Sequence, residues 1–328
     1  MNPYNRFSNL PFIIPLEFYV EASQACFRNY EKRNISESYD VKTAKHHQFL
    51  FIPDDSGIGK TRAGEEIANI PVDILSSVCQ GDQDFISAMR DPIYCYVNLN
   101  NSSGHSLCEY IDKKEREYRM GARIALSQDP TCNNLLDIVK KYDNFDFDRV
   151  IHSLLINKPN KTNVTSIIIH IDNHQHFIDS IQTKFGETLE YAKHSFKQMI
   201  GVIGGHMLGN TSDNHFIVPV LTGTCDNDVR FAMAENWTKT INLDPLDPTK
   251  VNQLVDHYLK VNNRQLLDQP HFQIAIGETG FIPSILIDLL KSANNNQLPL
   301  GYQESTYQLY VDKWNLVMQN LGKNLIQK

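Results

Sequence analysis

The sequence predicts an α/β protein in which a parallel sheet lies between two helical layers, followed by a helical subdomain, and three observations predict it. Short apolar runs rich in Ile, Val and Phe recur along the chain and read as buried strands. Segments of helical composition separate them, and helices between successive buried strands mean parallel crossovers. Three of these strands end on small or carboxylate residues (Gly57 beyond the first, Asp172, and Thr222 to Thr224), the residue types that gather ligands at the carboxyl edge of such a sheet.

The elements follow in order. Residues 1–13 read as an irregular arm. From Pro15 to Arg33, Phe18, Tyr19, Ala22, Ala25, Cys26 and Tyr30 recur at helical spacing, which predicts an amphipathic helix. The run His47 to Pro53 is the first strand, and Arg62 to Ile70 has helical composition. Pro92 to Leu99 is the second strand, and a long charged helix is expected from about His105 to Ser127. Its Lys113 to Glu117 stretch alternates in sign and reads as a solvated face. Asn133 to Asn157 is helical with a break near Tyr142 to Phe147. Thr165 to Asp172 is a strand, Glu187 to Leu208 a helix, Phe216 to Thr224 a strand and Lys239 to Leu243 a short strand. Asp247-Pro248 opens a helix to Leu259, and further helices are expected at about 271–294 and 304–321. Boundaries follow at 44/45 and 246/247: an N-terminal arm and helix (1–44), a core (45–246) and a helical lid subdomain (247–328).

The chemistry concentrates where the first strand ends. After Phe49-Leu50-Phe51-Ile52-Pro53 the chain breaks into Asp54-Asp55-Ser56-Gly57-Ile58-Gly59 and then Lys60-Thr61, opening a helix. Strand, glycine-bearing loop and helix form the context in which Gly-Lys-Thr cradles phosphate. Gly57 and Gly59 let backbone N–H groups approach an anion with no Cβ in the way, and the helix that follows adds its positive end. Lys60 supplies a point charge, and the Thr61 hydroxyl can ligate Mg²⁺. The phosphate-loop pattern wants glycine where this chain has Asp54, and carboxylates facing a polyphosphate repel it. Asp172, at the end of a β-branched strand, is the natural partner carboxylate for that Mg²⁺. Thr222 and Thr224 are candidate readers of a terminal phosphate on the neighbouring strand, and Arg230 is weighed as an arginine finger. His170, His174 and His176 lack the cysteine partner or second cluster that a zinc site needs.

Composition sets the bounds. Hydrophobic residues at 41% and charged residues at 21% are ordinary for a soluble globular protein. The net charge of −7 gives no support to a nucleic-acid surface. The six cysteines are scattered with no CxxC pair, which fits free thiols in a reducing compartment. No signal peptide and no transmembrane stretch is legible, so an intracellular, cytoplasmic or nuclear protein with no membrane partner is expected.

The order of motifs resembles the AAA+/STAND class of P-loop ATPases. Within it, Ser56-Gly57-Ile58-Gly59-Lys60-Thr61-Arg62, Ile169-His170-Ile171-Asp172 and Val220-Leu221-Thr222-Gly223-Thr224 are similar to the ATPase module of Crinkler effectors and of retrotransposon hot spot proteins. Glu278-Thr279-Gly280-Phe281-Ile282-Pro283-Ser284 is similar to that family's Gly-Gly-x-Pro-Arg motif at the start of the lid. The resemblance implies a three-layer P-loop NTPase core of five strands with a C-terminal helical lid, binding ATP and Mg²⁺ between core and lid. It implies an intracellular effector role, generally nuclear for Crinklers. Nucleotide contacts then fall to Asp55, Ser56, Gly57, Ile58, Gly59, Lys60, Thr61, Arg62 and Pro283, with Mg²⁺ on Thr61 and Asp172. Lys60, Asp172, Asn173, Thr222 and Thr224 are the candidate catalytic set. Such ATPases usually carry Glu after the Asp172 position to polarise water; here Asn173 can position water but cannot act as a base. His174 and Gln175 stand next to it as substitutes. Ser284 replaces the motif's phosphate-sensing Arg. A slow ATPase is therefore expected, with a nucleotide-gated interaction switch as the alternative. The expected partners are a nucleotide and an unidentified protein, and a second copy of the chain is one candidate for it.

Overall fold

A run such as Ile167 to Ile169, apolar on both sides, is stable in water only when both faces are covered. In the computed structural model, which describes residues 14–34, 47–53, 57–112, 114, 116–160, 162–209, 214–224, 238–259, 261–268 and 270–294, these runs form a five-stranded parallel sheet. Its strands are β1 (Phe49–Pro53), β2 (Ile93–Asn98), β3 (Thr165–Asp172), β4 (His215–Gly223) and β5 (Thr238–Thr240), in the order β2-β3-β4-β1-β5. Thus β4 is inserted between the Gly-Lys-Thr strand β1 and the Asp172 strand β3. The register aligns Pro53 with Gly223, Thr222 with Asp172 and Asp172 with Asn98, so the carboxyl ends of four strands meet on one edge.

Side chains alternate across the sheet. Phe49, Phe51, Val97, Ile167, Ile169, Ile171, Ile217 and Leu221 face one helical layer. That layer contains α6 (Arg116–Gln128), α7 (Leu135–Lys141), α8 (Phe147–Asn157), α9 (His174–Phe185) and α10 (Leu189–Gly209), preceded by the single turn α5 (Glu109–Asp112). Leu50, Ile52, Ile168, Val218 and Val220 face the other layer, formed by α1 (Leu16–Glu31), α2 (Lys60–Glu66), α3 (Val72–Val78) and α4 (Gln83–Arg90). The result is the three-layer α/β architecture. Local chemistry starts several of these helices. Asp82 and Asp146 accept the Phe85 and Arg149 N–H groups at the N-caps of α4 and α8, and Asn134 with Asp137 forms a capping box on α7.

Two expectations need correction here. The helix expected from His105 to Ser127 is interrupted after Asp112. That carboxylate turns inward, accepts the Cys108 N–H at 2.8 Å and pairs with buried Arg123 at 2.9 Å. And α1, grouped by sequence with an arm separate from the core, is packed into it. Asn29, 1% exposed, donates to the carbonyls of Gln48 and Ile217 and accepts the Gln48 N–H, so it clips α1 to the starts of β1 and β4.

The chain divides into two compact units, Ile13–Asp244 and a second that contains Pro245–Lys328. The described part of the second unit is helical. It comprises α11 (Pro248–Tyr258), opened by Asp247 accepting the Lys250 N–H, then α12 (Pro270–Glu278) and α13 (Pro283–Asn294). The helix expected over 271–294 is thus two helices, joined by a turn in which Gly280 and Phe281 both have φ of 58°. The helix expected at 304–321 lies outside the described residues. Among the described residues no helix is long and apolar enough to cross a membrane.

Candidate functional site

The site grows from the end of β1. Gly57 and Gly59 have φ of 91° and 105°, backbone that side chains with a Cβ rarely adopt, and Gly59 directly precedes α2 with its carbonyl accepting the Ala63 N–H. Asp54, Asp55 and Ser56 lie outside the described residues, as does Arg230. Ile58 packs against the α1–α4 core and anchors the loop. Lys60 and Thr61 are the first two residues of α2. The next, Arg62, pairs with Glu66 and Glu65 along the same helix. Glu66 is 2% exposed and accepts the Tyr19 hydroxyl; burial raises its pKa, and Arg62 opposes that rise. The expected nucleotide contact of Arg62 is therefore a guanidinium already engaged with α2's own carboxylates.

At the centre is Asp172, 3% exposed at the end of β3. Thr61 Oγ1 donates to its Oδ2 at 2.8 Å, bridging 111 residues, and the Tyr96 hydroxyl donates to the same oxygen at 2.9 Å. Thr222 Oγ1 and the Asn173 N–H donate to Oδ1 at 2.6 and 3.0 Å. A carboxylate has about four acceptor positions, and all four are filled.

Behind Thr222 the network continues on the same sheet face. His170 is fully buried, and burial lowers its pKa to about 4, so the ring is neutral at pH 7. Because the Thr222 hydroxyl donates to Asp172, His170 Nε2 is the donor to Thr222 (2.8 Å), and Nδ1 accepts from the Tyr94 hydroxyl (2.6 Å). The proton order therefore runs one way, from Tyr94 through His170 and Thr222 to Asp172. Helix α2 rests on this ring: a Cβ added to Gly64 would lie 2.4 Å from His170 Cε1 and Nε2. Thus the segment that carries Lys60 and Thr61 is seated on the chain that holds Asp172.

Asn173 adopts φ of 61° at the N-cap position of α9, without a capping bond from its side chain. Its carboxamide donates to Asn98 Oδ1 at 3.0 Å, so it is tied to β2. His174, proposed from sequence as a substitute base, is not placed for that role. Its ring is fully buried beside Phe51 and Phe196, and burial lowers its pKa to about 4. Nδ1 faces the Thr222 carbonyl at 3.3 Å and Nε2 faces Gln175 Nε2 at 2.6 Å, so both nitrogens are used. Gly223 makes room for this ring, since a Cβ there would sit 2.1 Å from His174 Cε1. Gln175 also donates to the Thr224 carbonyl at 2.6 Å, so both residues that follow Asn173 are already engaged.

Of the two threonines expected to read phosphate, Thr222 is fully buried with its hydroxyl spent on Asp172, while Thr224 is exposed beyond β4. Pro283 belongs to the second unit, where it opens α13; Phe281, standing where the resembled motif has glycine, takes the left-handed backbone that glycine favours. Sequence reasoning missed Tyr94, Tyr96, Asn98 and Gly64. Their signal was present in the alternation Tyr94-x-Tyr96-x-Asn98, which puts three polar groups on the sheet face of His170 and Asp172.

The oxygens of Thr61 and Asp172 are the hard donors that Mg²⁺ takes. With its acceptor positions filled, Asp172 fits a hydrated Mg²⁺ held through water better than direct coordination, and Mg²⁺ characteristically keeps several waters. Among the described residues no cluster of three or more His, Cys, Asp or Glu is arranged for a metal. No family model matches the chain, and no curated protein matches it.

Proposed function

We propose that this chain binds a nucleoside triphosphate with Mg²⁺ at the carboxyl edge of its sheet and hydrolyses it slowly. The observation that carries the reading is the 2.8 Å hydrogen bond from Thr61, directly after the Gly57–Gly59 loop, to the buried Asp172 on a strand 111 residues away. A chance Gly-Lys-Thr on a surface turn would not face a buried carboxylate held by three further donors. In this reading Gly57 and Gly59 admit the phosphates to the backbone N–H groups, and Lys60 supplies charge to them. Thr61 and Asp172 would hold Mg²⁺, which when bound neutralises charge on the phosphate oxygens. The resemblance to AAA+/STAND ATPases supports ATP as the nucleotide and the Crinkler-like module as the context.

Slow turnover follows from Asn173. Its amide orients but accepts no proton, and the adjacent histidine is sealed away. A missing general base costs about 10²–10⁴-fold in rate. A nucleotide-gated switch is the second reading, favoured by the Asn173–Asn98 bond, which joins the residue after Asp172 to the edge strand β2. Nucleotide content of the freshly purified chain, followed by steady-state phosphate release with Mg·ATP, tests both. The proposal expects bound or stoichiometrically rebinding adenine nucleotide and turnover well below ~1 s⁻¹, the lower end of usual enzyme rates. Absence of binding at millimolar Mg·ATP would overturn the phosphate-loop reading; fast turnover would overturn the switch.

A further inference from the structure

The groups that donate to the Asp172 carboxylate differ in where they come from. Thr61 lies in the first turn of α2, Thr222 is fully buried on β4, and the Asn173 N–H is backbone. Tyr96 reaches in from the edge strand β2, and it is half-buried. The register sets it opposite His170, and its ring packs edge-on against that imidazole with centroids 5.1 Å apart. Tyr94 and Thr222 fix the imidazole through its two nitrogens. Packing therefore holds the phenol in place, and its hydroxyl meets Oδ2 at 2.9 Å.

Each carboxylate oxygen has about two acceptor positions. On Oδ1 they go to Thr222 and the Asn173 N–H, and on Oδ2 to Thr61 and Tyr96. A hydroxyl carries one donor and two lone pairs, so Thr61 can keep its proton on Oδ2 while its own oxygen faces a cation. The Tyr96 hydroxyl then occupies the position that a directly bonded cation needs. Mg²⁺ sheds water reluctantly, and a carboxylate whose positions are taken reaches it through the waters that it keeps. Substituting Thr61 or Thr222 would also disturb the phosphate loop or the buried histidine. Tyr96→Phe removes one hydroxyl and keeps the ring.

We infer that Tyr96 is a positioning residue that keeps Asp172 from bonding the metal directly, so that the ion is carried by the nucleotide phosphates and Thr61 and meets Asp172 only through water. This rests on the Mg·nucleotide reading of the same site. The test uses Mn²⁺ with ATP as the probe, in the full chain labelled with ¹³C at the aspartate carboxyl carbons. Electron–nuclear double resonance then shows a strong ¹³C coupling from a carboxylate bonded directly to Mn²⁺ and a weak one from a carboxylate behind water. Asp172 should give no strong coupling in the natural chain. Tyr96→Phe should gain one, and it should be lost again in Tyr96→Phe/Asp172→Asn saturated with Mn·ATP. Lys60→Ala separates the two readings, since it should weaken Mn·ATP roughly ten- to a hundred-fold, the range for losing a charge-assisted contact. Equal Mn·ATP affinity in Lys60→Ala and the natural chain would overturn the site, and the role of Tyr96 with it. Where Lys60→Ala does weaken binding, two results would overturn the role of Tyr96 and leave the site standing. One is a strong coupling in the natural chain that Asp172→Asn removes; the other is no coupling gained in Tyr96→Phe.

Discussion

Replacing Gly64 by alanine turns the seating of α2 on His170 into a sign. In an exposed helix, Gly→Ala stabilises by roughly 0.5–1 kcal/mol through backbone entropy and propensity. Here the new Cβ would lie 2.4 Å from two ring atoms of His170 and 3.0 Å from Nδ1, against a normal contact of about 3.5–4.0 Å. The ring cannot step aside cheaply, since Tyr94 and Thr222 hold both nitrogens and Tyr96 packs edge-on at 5.1 Å. The helix must lift by about 1 Å, and overpacking of this kind costs about 1–3 kcal/mol. Net destabilisation of about 1–2 kcal/mol should remain, or a Tm lower by about 2–8 °C for a unit of this size. Lifting α2 also stretches the Thr61–Asp172 bond, so Mg·ATP affinity should fall with stability. A smaller ring partner supplies the internal control: the cost of Gly64→Ala should shrink in a His170→Asn background, a coupling read from the double-mutant cycle. Thermal unfolding and calorimetric titration measure both effects. A Tm that rises or holds in Gly64→Ala would refute the packing of α2 on His170.

Further outcomes follow from the same network. Asn173→Glu should raise steady-state phosphate release with little change in ATP affinity, while costing about 1 kcal/mol of stability because φ of 61° suits Asn better than Glu; unchanged turnover would show that the missing base is not what limits the rate. His105, His170, His174 and His215 have pKa values lowered to about 4, with burial the largest cause for each. The unfolded chain, with histidines near 6.5, binds more protons than the fold between those values, so stability is present above about pH 6.5 and is lost as pH falls towards 4. The unfolding free energy from urea titrations should therefore drop between pH 7 and 5.5 by roughly 1 kcal/mol per histidine, and a flat profile would contradict their neutral burial. Asp112→Asn, which strands Arg123 in the core, should cost about 3–5 kcal/mol by chemical unfolding, and a cost below ~1 kcal/mol would mean the pair is not buried as described.

The sheet was legible because its strands are long apolar runs ended by Gly, Asp and Thr, and the three-layer order follows from the helices between them. Strand–loop–helix context and a β-branched strand ending on a carboxylate put Thr61 and Asp172 together as expected ligands of one Mg²⁺, whereas the direct hydrogen bond between them is visible only in the fold. Other features were not visible because they depend on contacts far along the chain. Nothing local marks Asp112 as the end of a helix, since its partner Arg123 comes eleven residues later from within α6. The start of α9 reads as a polar loop, yet Phe177, Ile178 and Ile181 already carry helical spacing. Helices α3 and α4 lie in a stretch whose short apolar groups give no sustained period. Thr222 looked like a phosphate reader because strand ends often are, but a buried histidine behind it and a carboxylate before it claim the hydroxyl. His174 looked like a spare base until its ring proved to fill the space over Gly223.

A Mg·nucleotide site formed by Gly57 to Thr61 with Asp172 must respond both to the lysine and to the metal. Isothermal titration of ATP into the natural chain and into Lys60→Ala, each with and without Mg²⁺, tests it most directly. Binding should depend on Mg²⁺ and fall roughly ten- to a hundred-fold in Lys60→Ala, with the unfolding transition unchanged. Equal ATP affinity in the two proteins, or binding indifferent to Mg²⁺, would contradict it.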